Sequence, residues 1–288
     1  MNNCGEMFNK IVQKSAEINF KREGDYIGDD GLLYCGKCQT NKQQRIQVKG
    51  FKAFVPVMCK CVESDYNAEQ QDLKNQEKKI RINKMRYDCF PSCKGKYNSE
   101  KDMKSWTFKN DKGYNPQAIV AAKRFVNEFQ TFFTKGRGLI FLGDVGVGKS
   151  YVAACIANAL LDNDYSVLMT DFATIANTLS GIKEKQDYYE SLNNYSLLIL
   201  DDFASERDTS YMKEIIYTVI NNRINAGLPF LITTNLTQQQ LLNPQNISER
   251  QVYSRILECC YPICIKGQDL RKLNMVKNFD ETKKLLNL

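Results

Sequence analysis

Eight residues, Gly143-Asp144-Val145-Gly146-Val147-Gly148-Lys149-Ser150, have the types and spacing to hold a polyphosphate. Glycines let the backbone wrap closely round an anion, so that successive N–H groups face it. Lys149 adds an ammonium for the β- and γ-phosphates, and the Ser150 hydroxyl adds a ligand for Mg²⁺. The flanks suit this chemistry. Residues 139–142 are a short apolar run that predicts a buried strand entering the loop. Residues 150–161 predict an apolar helix leaving it, with its positive end at the anion. The eight loop residues, with Tyr151 next to them, form the expected nucleotide-binding set.

A second apolar run, residues 197–200, ends in Asp201 and Asp202. Open α/β sheets bind ligands at the carboxyl ends of their strands. Asp201 is expected to hold the Mg²⁺ shell through water, and Asp202 to orient or deprotonate an attacking water. Glu206 lies close by and is an alternative for that last role. An acidic pair after a strand is by itself an ordinary turn. Joined to the upstream loop, it makes a site for hydrolysing ATP.

Cys35-Gly36-Lys37-Cys38 and Cys59-Lys60-Cys61 supply four thiolates in two tight pairs, a set suited to tetrahedral Zn²⁺. The chain has 11 cysteines and no histidine, which excludes His-based triads, imidazole bases and mixed Cys/His metal sites. The segment is small and polar, so the metal's role would be structural. Cys89 and Cys93 are either a second half-site or free thiols in a connector. Cys155, Cys259, Cys260 and Cys264 fall in apolar runs and are expected in the core.

The elements that must position these groups follow from pattern. Asn115-Pro116 reads as an N-cap with proline at the first helical position, and Ile119, Ala122, Val126 and Phe129 recur at helical spacing. Residues 166–170 predict a strand, with Asp171 capping the next helix. Residues 211–226 predict a helix that buries Ile215, Ile216, Val219 and Ile220 and stops at Gly227; 230–234 and 262–265 predict two more strands. Five short strands separated by helices imply an α/β fold with a parallel sheet covered on both faces.

The expected organisation is a Cys4 module with a charged helical tether at 1–86, a connector at 87–114 and an ATPase domain at 115–288. The net charge of +7 suits nucleic acid and a plain solvated surface equally. Lys78, Lys79, Arg81, Lys84 and Arg86 read as a solvated helix face, with DNA phosphate as the alternative. No apolar run nears the roughly 20 residues of a membrane span. Met1-Asn2-Asn3-Cys4-Gly5-Glu6 lacks the apolar core of a signal peptide, so the expected location is the cytoplasm.

From about Cys35 onward the chain resembles the AAA+ ATPases, and among them the DnaC-type helicase loaders of bacteria and phages. Leu198 to Arg207 looks like the Walker B region, with Phe203-Ala204 where the family usually has Leu-Gly. Phe230 to Leu236 looks like the sensor 1 strand, in which Asn235 would position the attacking water. Tyr253 to Glu258 resembles the arginine-finger segment, in which Arg255 would act on a neighbouring subunit's nucleotide, with Arg250 as the competitor. Gly267 to Arg271 resembles the sensor 2 turn, in which Arg271 would touch phosphate in cis and Asp269 would cap the last helix.

The resemblance also implies the sheet order 5-1-4-3-2, an N-terminal zinc module and ATP-driven self-association into a ring or helical oligomer. The implied function is loading of a DnaB-type replicative helicase onto single-stranded DNA. Two alternatives stand beside it: an IstB-like transposition helper on duplex DNA, and a nucleotide-gated interaction protein with little turnover.

Overall fold

The computed structural model describes residues 21–48, 51–91, 102–206 and 209–286. Cys93, Arg207 and the first six residues, read above, lie outside them. The described residues fall into two compact units, one ending at Ile80 and the other beginning at Arg81.

The first unit is built on hairpins. Strands β1 (Tyr26–Ile27) and β2 (Leu33–Tyr34) pair antiparallel, as do β3 (Gln43–Val48) and β4 (Phe51–Pro56). The unit's apolar core is small: Cys35, Cys59 and Val62 are buried, with Cys38, Met58 and Cys61 against them. Lys42 Nζ pairs with Asp25 Oδ2 at 2.5 Å, both side chains almost fully buried. That pairing, with the Arg22 and Gly36 N–H groups, holds Asp25 down to about 2. Helix α1 (Lys60–Cys89) carries the chain onward and is longer than the expected tether. Its residues 71–80 are all exposed, as a charged, apolar-poor segment should be.

The second unit holds a parallel sheet of β5 (Gly138–Leu142), β6 (Val167–Thr170), β7 (Leu197–Phe203), β8 (Phe230–Thr234) and β9 (Cys260–Cys264). Its order, β6-β7-β8-β5-β9, is the 5-1-4-3-2 order implied by the family resemblance. Around it lie α2 (Pro116–Asn127), α3 (Phe129–Thr134), α4 (Lys149–Asp162), α5 (Phe172–Ser180), α6 (Lys185–Ser191), α7 (Ser210–Asn225), α8 (Gln238–Leu242), α9 (Ile247–Cys259) and α10 (Leu270–Leu285).

Successive residues of a strand feed opposite cores. Leu197 and Ile199 join α2 and α4 on one face, while Leu198 and Leu200 join α5, α7 and α9 on the other. Caps fall where polar residues precede apolar runs: Asp171 accepts from Thr174 N, Asn246 from Glu249 N and Asp269 from Arg271 N. No described helix is long and apolar enough to cross a membrane.

Three expectations are corrected. Asn115 precedes α2, but its side chain makes no cap; its Nδ2 donates instead to Val147 O at 2.6 Å. Cys89 is a free thiol, but not in a loop: it ends α1 fully buried in the core, and burial pushes its thiol up to about 12. Cys264 is exposed, because it ends the edge strand β9, which has a neighbour on one side only.

Arg223 was unforeseen as a core residue. It is fully buried on α7, and its guanidinium donates to the carbonyls of Leu192, Tyr195, Ser196 and Pro229 at 2.8–3.3 Å. These carbonyls lie just before β7 and β8, so one side chain ties both strand entries. Burial lowers its pKa to about 10, which leaves it charged at neutral pH. Arg223→Ala strands these carbonyls and is expected to cost roughly 2–4 kcal/mol. Urea denaturation checks this through a lower midpoint at unchanged slope.

Candidate nucleotide site and cysteine cluster

Strand β5 delivers the chain to the phosphate loop and α4 takes it away, as the sequence predicts. Gly146 (φ +81°) and Gly148 (φ +96°) adopt backbone that side chains resist. A Cβ on Gly146 would also lie 1.9 Å from Asp269 Oδ1. The Lys149 ammonium donates to Gly143 O and Asp144 O, both at 2.8 Å, and to Asn235 Oδ1 at 2.7 Å. Burial lowers its pKa; the nearby Asp202 and Asp201 carboxylates oppose that shift. A cation held by neutral oxygens in a half-buried site gains further from an anion in the loop.

The acids sit in an irregularity. Leu200 pairs with Ile232, but the next pair is Phe203 with Thr234, so β7 spends three residues on two of β8. Within this bulge Asp202 (φ +56°) is left-handed, and Ala204 (φ +66°), just past the end of β7, is too. Thr233 Oγ1 donates to Asp201 Oδ1 at 2.5 Å and accepts from Asp202 N at 3.0 Å. The Thr234 hydroxyl donates to Phe203 O at 2.7 Å. Burial raises the Asp201 pKa, against hydrogen bonds from Thr233 and Ser150. Ser150 and Asp201, the two expected Mg²⁺ ligands, stand at the start of α4 and near the end of β7. Glu206, also raised by burial, has a buried Oε1 with no hydrogen-bond partner among the described residues. It borders a cavity of about 380 Å³ together with Asp171, Asp201, Asp202 and Ser205. Both candidates for the water-activating acid therefore face one space.

Asn235, the residue just after β8, reaches Lys149 directly. Arg271 is close enough for its charge to lower the Lys149 pKa, and the neighbouring Leu270 N–H donates to Gly146 O at 2.9 Å. Arg255 is not brought to this cluster: on α9, its guanidinium lies over the Tyr217 ring at 5.9 Å. Arg250 is exposed on the same helix. The Tyr151 hydroxyl serves the connector, donating to Thr107 O at 3.1 Å, and its ring meets Trp106. Val145 is exposed and Val147 buried.

Residues 102–107 hold neighbours of α4 that pattern reading missed. Asn158 on α4 donates to Met103 O and Trp106 O at 2.8 and 2.9 Å and accepts from Arg86 at 2.8 Å. Arg86 and Arg81, read above as part of a basic face, pair with Asp162 and Asp164. The one available signal was the chain's only tryptophan, Trp106, in a stretch otherwise read as linker.

Cys35, Cys38, Cys59 and Cys61 converge, with all four sulfurs within 4.8 Å of one another. Cys35–Cys61 is 3.6 Å and Cys59–Cys61 3.4 Å. A tetrahedral zinc site with Zn–S near 2.3 Å needs sulfurs roughly 3.8 Å apart, so the set fits. Gly36 is required by the turn, since a Cβ there would lie 2.0 Å from Gly24 O. The Thr40 hydroxyl helps hold Cys38 down to about 5, while the Cys59 thiol beside Cys61 pushes it up to about 12. Four sulfurs this close cannot all carry charge without a cation between them.

The sheet order, the phosphate loop after β5 and the acid-bearing strand β7, one strand removed from β5, define a P-loop ATPase of the AAA+ class. The chain belongs to the IstB-like ATP-binding protein family, whose pattern matches residues 56–278. It is 25% identical over 278 residues to the replicative helicase loader DnaI of Bacillus subtilis, covering 91% of this chain and 85% of that one. It is 30% identical over 130 residues to the replicative helicase loader DnaC of Escherichia coli, covering 43% of this chain and 51% of that one, about half the relative's length. A protein of Mycobacterium tuberculosis, named as ATP-binding in an insertion sequence, is 26% identical over 141 residues, covering 47% and 56%.

Ala204 now has a structural meaning. It occupies a left-handed position where the DnaC-type pattern has glycine. Ala204→Gly is expected to raise stability by about 1 kcal/mol by relieving that backbone. Thermal unfolding of the two proteins side by side is the measurement.

Proposed function

We propose that this chain is an ATP-dependent loader of a DnaB-type replicative helicase onto single-stranded DNA. The observation that carries the reading is the similarity to DnaI along 91% of the chain, which reaches through the cysteine-bearing unit. An IstB-like role on duplex DNA has less behind it, because the insertion-sequence relative matches only 47% of the chain.

In this reading residues 1–86 grip the helicase, 87–114 connect, and 115–288 bind and hydrolyse ATP. The loop amides from Gly143 to Ser150 and the Lys149 ammonium surround the triphosphate. Ser150 and Asp201 hold Mg²⁺, which supplies charge neutralisation on the phosphate oxygens. Asp202 orients and deprotonates the attacking water, and Asn235 positions it through an amide that both donates and accepts. Glu206, on the same cavity, is the reserve for the acid's role. Arg271 touches phosphate in cis. Arg255 reaches the nucleotide of a neighbouring subunit in a ring or helical oligomer, a contact worth on the order of 10³–10⁵ in rate. The four thiolates hold a structural Zn²⁺ that folds a unit with little apolar core. Such a protein works in the cytoplasm.

Two outcomes test the partner and the finger. The full chain with ATP and Mg²⁺ is expected to retain the host's replicative helicase in a pull-down. Retention of a transposase instead, with preference for duplex DNA, would sink the loader reading. Lys149→Ala and Arg255→Ala chains are each expected to be inactive alone. Mixed, they should regain turnover, since a site with its own Lys149 then meets a neighbour's Arg255. For the metal, elemental analysis is expected to find about one zinc per chain. Cys61→Ser should lose that zinc while the chain still binds nucleotide.

A further inference from the structure

Thr233 is fully buried on β8, two residues before Asn235. It faces the point where the β7–β8 ladder breaks between Leu200 and Phe203. A bulge leaves its extra residue without a ladder partner, and a buried orphan amide is costly. Here the amide is Asp202 N–H, and the Thr233 hydroxyl accepts it at 3.0 Å. The same hydroxyl donates to Asp201 Oδ1 at 2.5 Å. One side chain therefore holds the backbone of one acid and the carboxylate of the other.

We infer that Thr233 is a positioning residue for both carboxylates of the hydrolytic site. It aims Asp201 at the nucleotide-bound cation, and it keeps Asp202 in the left-handed bulge that presents its side chain. Valine keeps the shape and loses both bonds; serine keeps both bonds and loses a methyl. This inference rests on the ATP-hydrolysis reading above.

The test uses full-length Thr233→Val and Thr233→Ser. Binding of a fluorescent ATP analogue is titrated with and without Mg²⁺, and steady-state turnover is measured at saturating Mg²⁺. A hydrogen bond to a charged group is worth roughly ten- to a hundredfold. Thr233→Val is expected to bind nucleotide without Mg²⁺ within about twofold of the parent. It should need about tenfold more Mg²⁺ for the same gain in affinity, and kcat should fall at least about tenfold with KM little changed. Thr233→Ser should restore both.

Parent-like Mg²⁺ response and kcat in Thr233→Val would overturn the inference, as would a serine variant as defective as valine. If Thr233→Val does not fold, Thr233→Cys, with a weak donor of similar size, is judged by the same criteria. If the parent shows no turnover with helicase and DNA present, the hydrolysis reading fails instead. The Mg²⁺ titration still reports on Thr233 in that case.

Discussion

Parallel pairing of β7, β8 and β5 is the constraint on which the nucleotide site depends. Parallel strands end at one edge, and these three bring Asp201-Asp202, Asn235 and the phosphate loop to it. Register is enforced by burial on both faces. Ile140 and Leu142 belong to one core and Leu139 and Phe141 to the other, so a slip of one residue would exchange them. Because β8 lies between β5 and β7, the residue just after it stands between lysine and acids. The Lys149–Asn235 hydrogen bond is a direct product of strand order.

The second recurring device is burial of charge against neutral partners. Lys149 rests on two carbonyls and an amide, Arg223 on four carbonyls, and Asp201 on the Thr233 hydroxyl. Neutral partners satisfy a charge without cancelling it. At Lys149 and Asp201 that leaves field to act on a ligand; at Arg223, remote from the loop in sequence, it fixes two strand entries. The cysteine unit takes the opposite course, gathering groups that would repel one another once ionised.

Much of this was legible in the residues. The glycine loop, the apolar runs and the paired cysteines carry their structure in local spacing, and the caps at Asp171 and Asp269 fell where read. What stayed hidden depends on contacts distant in sequence. Asn115 looks like a cap and serves Val147 instead, 32 positions away. Arg223 gives no sign of burial in the sequence, because nothing local shows the four carbonyls waiting for it. Cys89 reads as a connector thiol because the burial of the end of α1 comes from the core it meets. The bulge at Asp201-Asp202 was invisible for a related reason: a ladder that skips a step is a relation between two strands, absent from either one alone.

The first turn of α10 is joined to the phosphate loop through Leu270 N–H and Gly146 O, with the Asp269 side chain packed against Gly146. A loop that reshapes round an anion therefore strains or relaxes the start of that helix. Thermodynamic linkage makes this a two-way exchange. Whatever free energy a bound nucleotide lends to the helix terminus, anything that steadies or frays the terminus returns to the nucleotide's affinity.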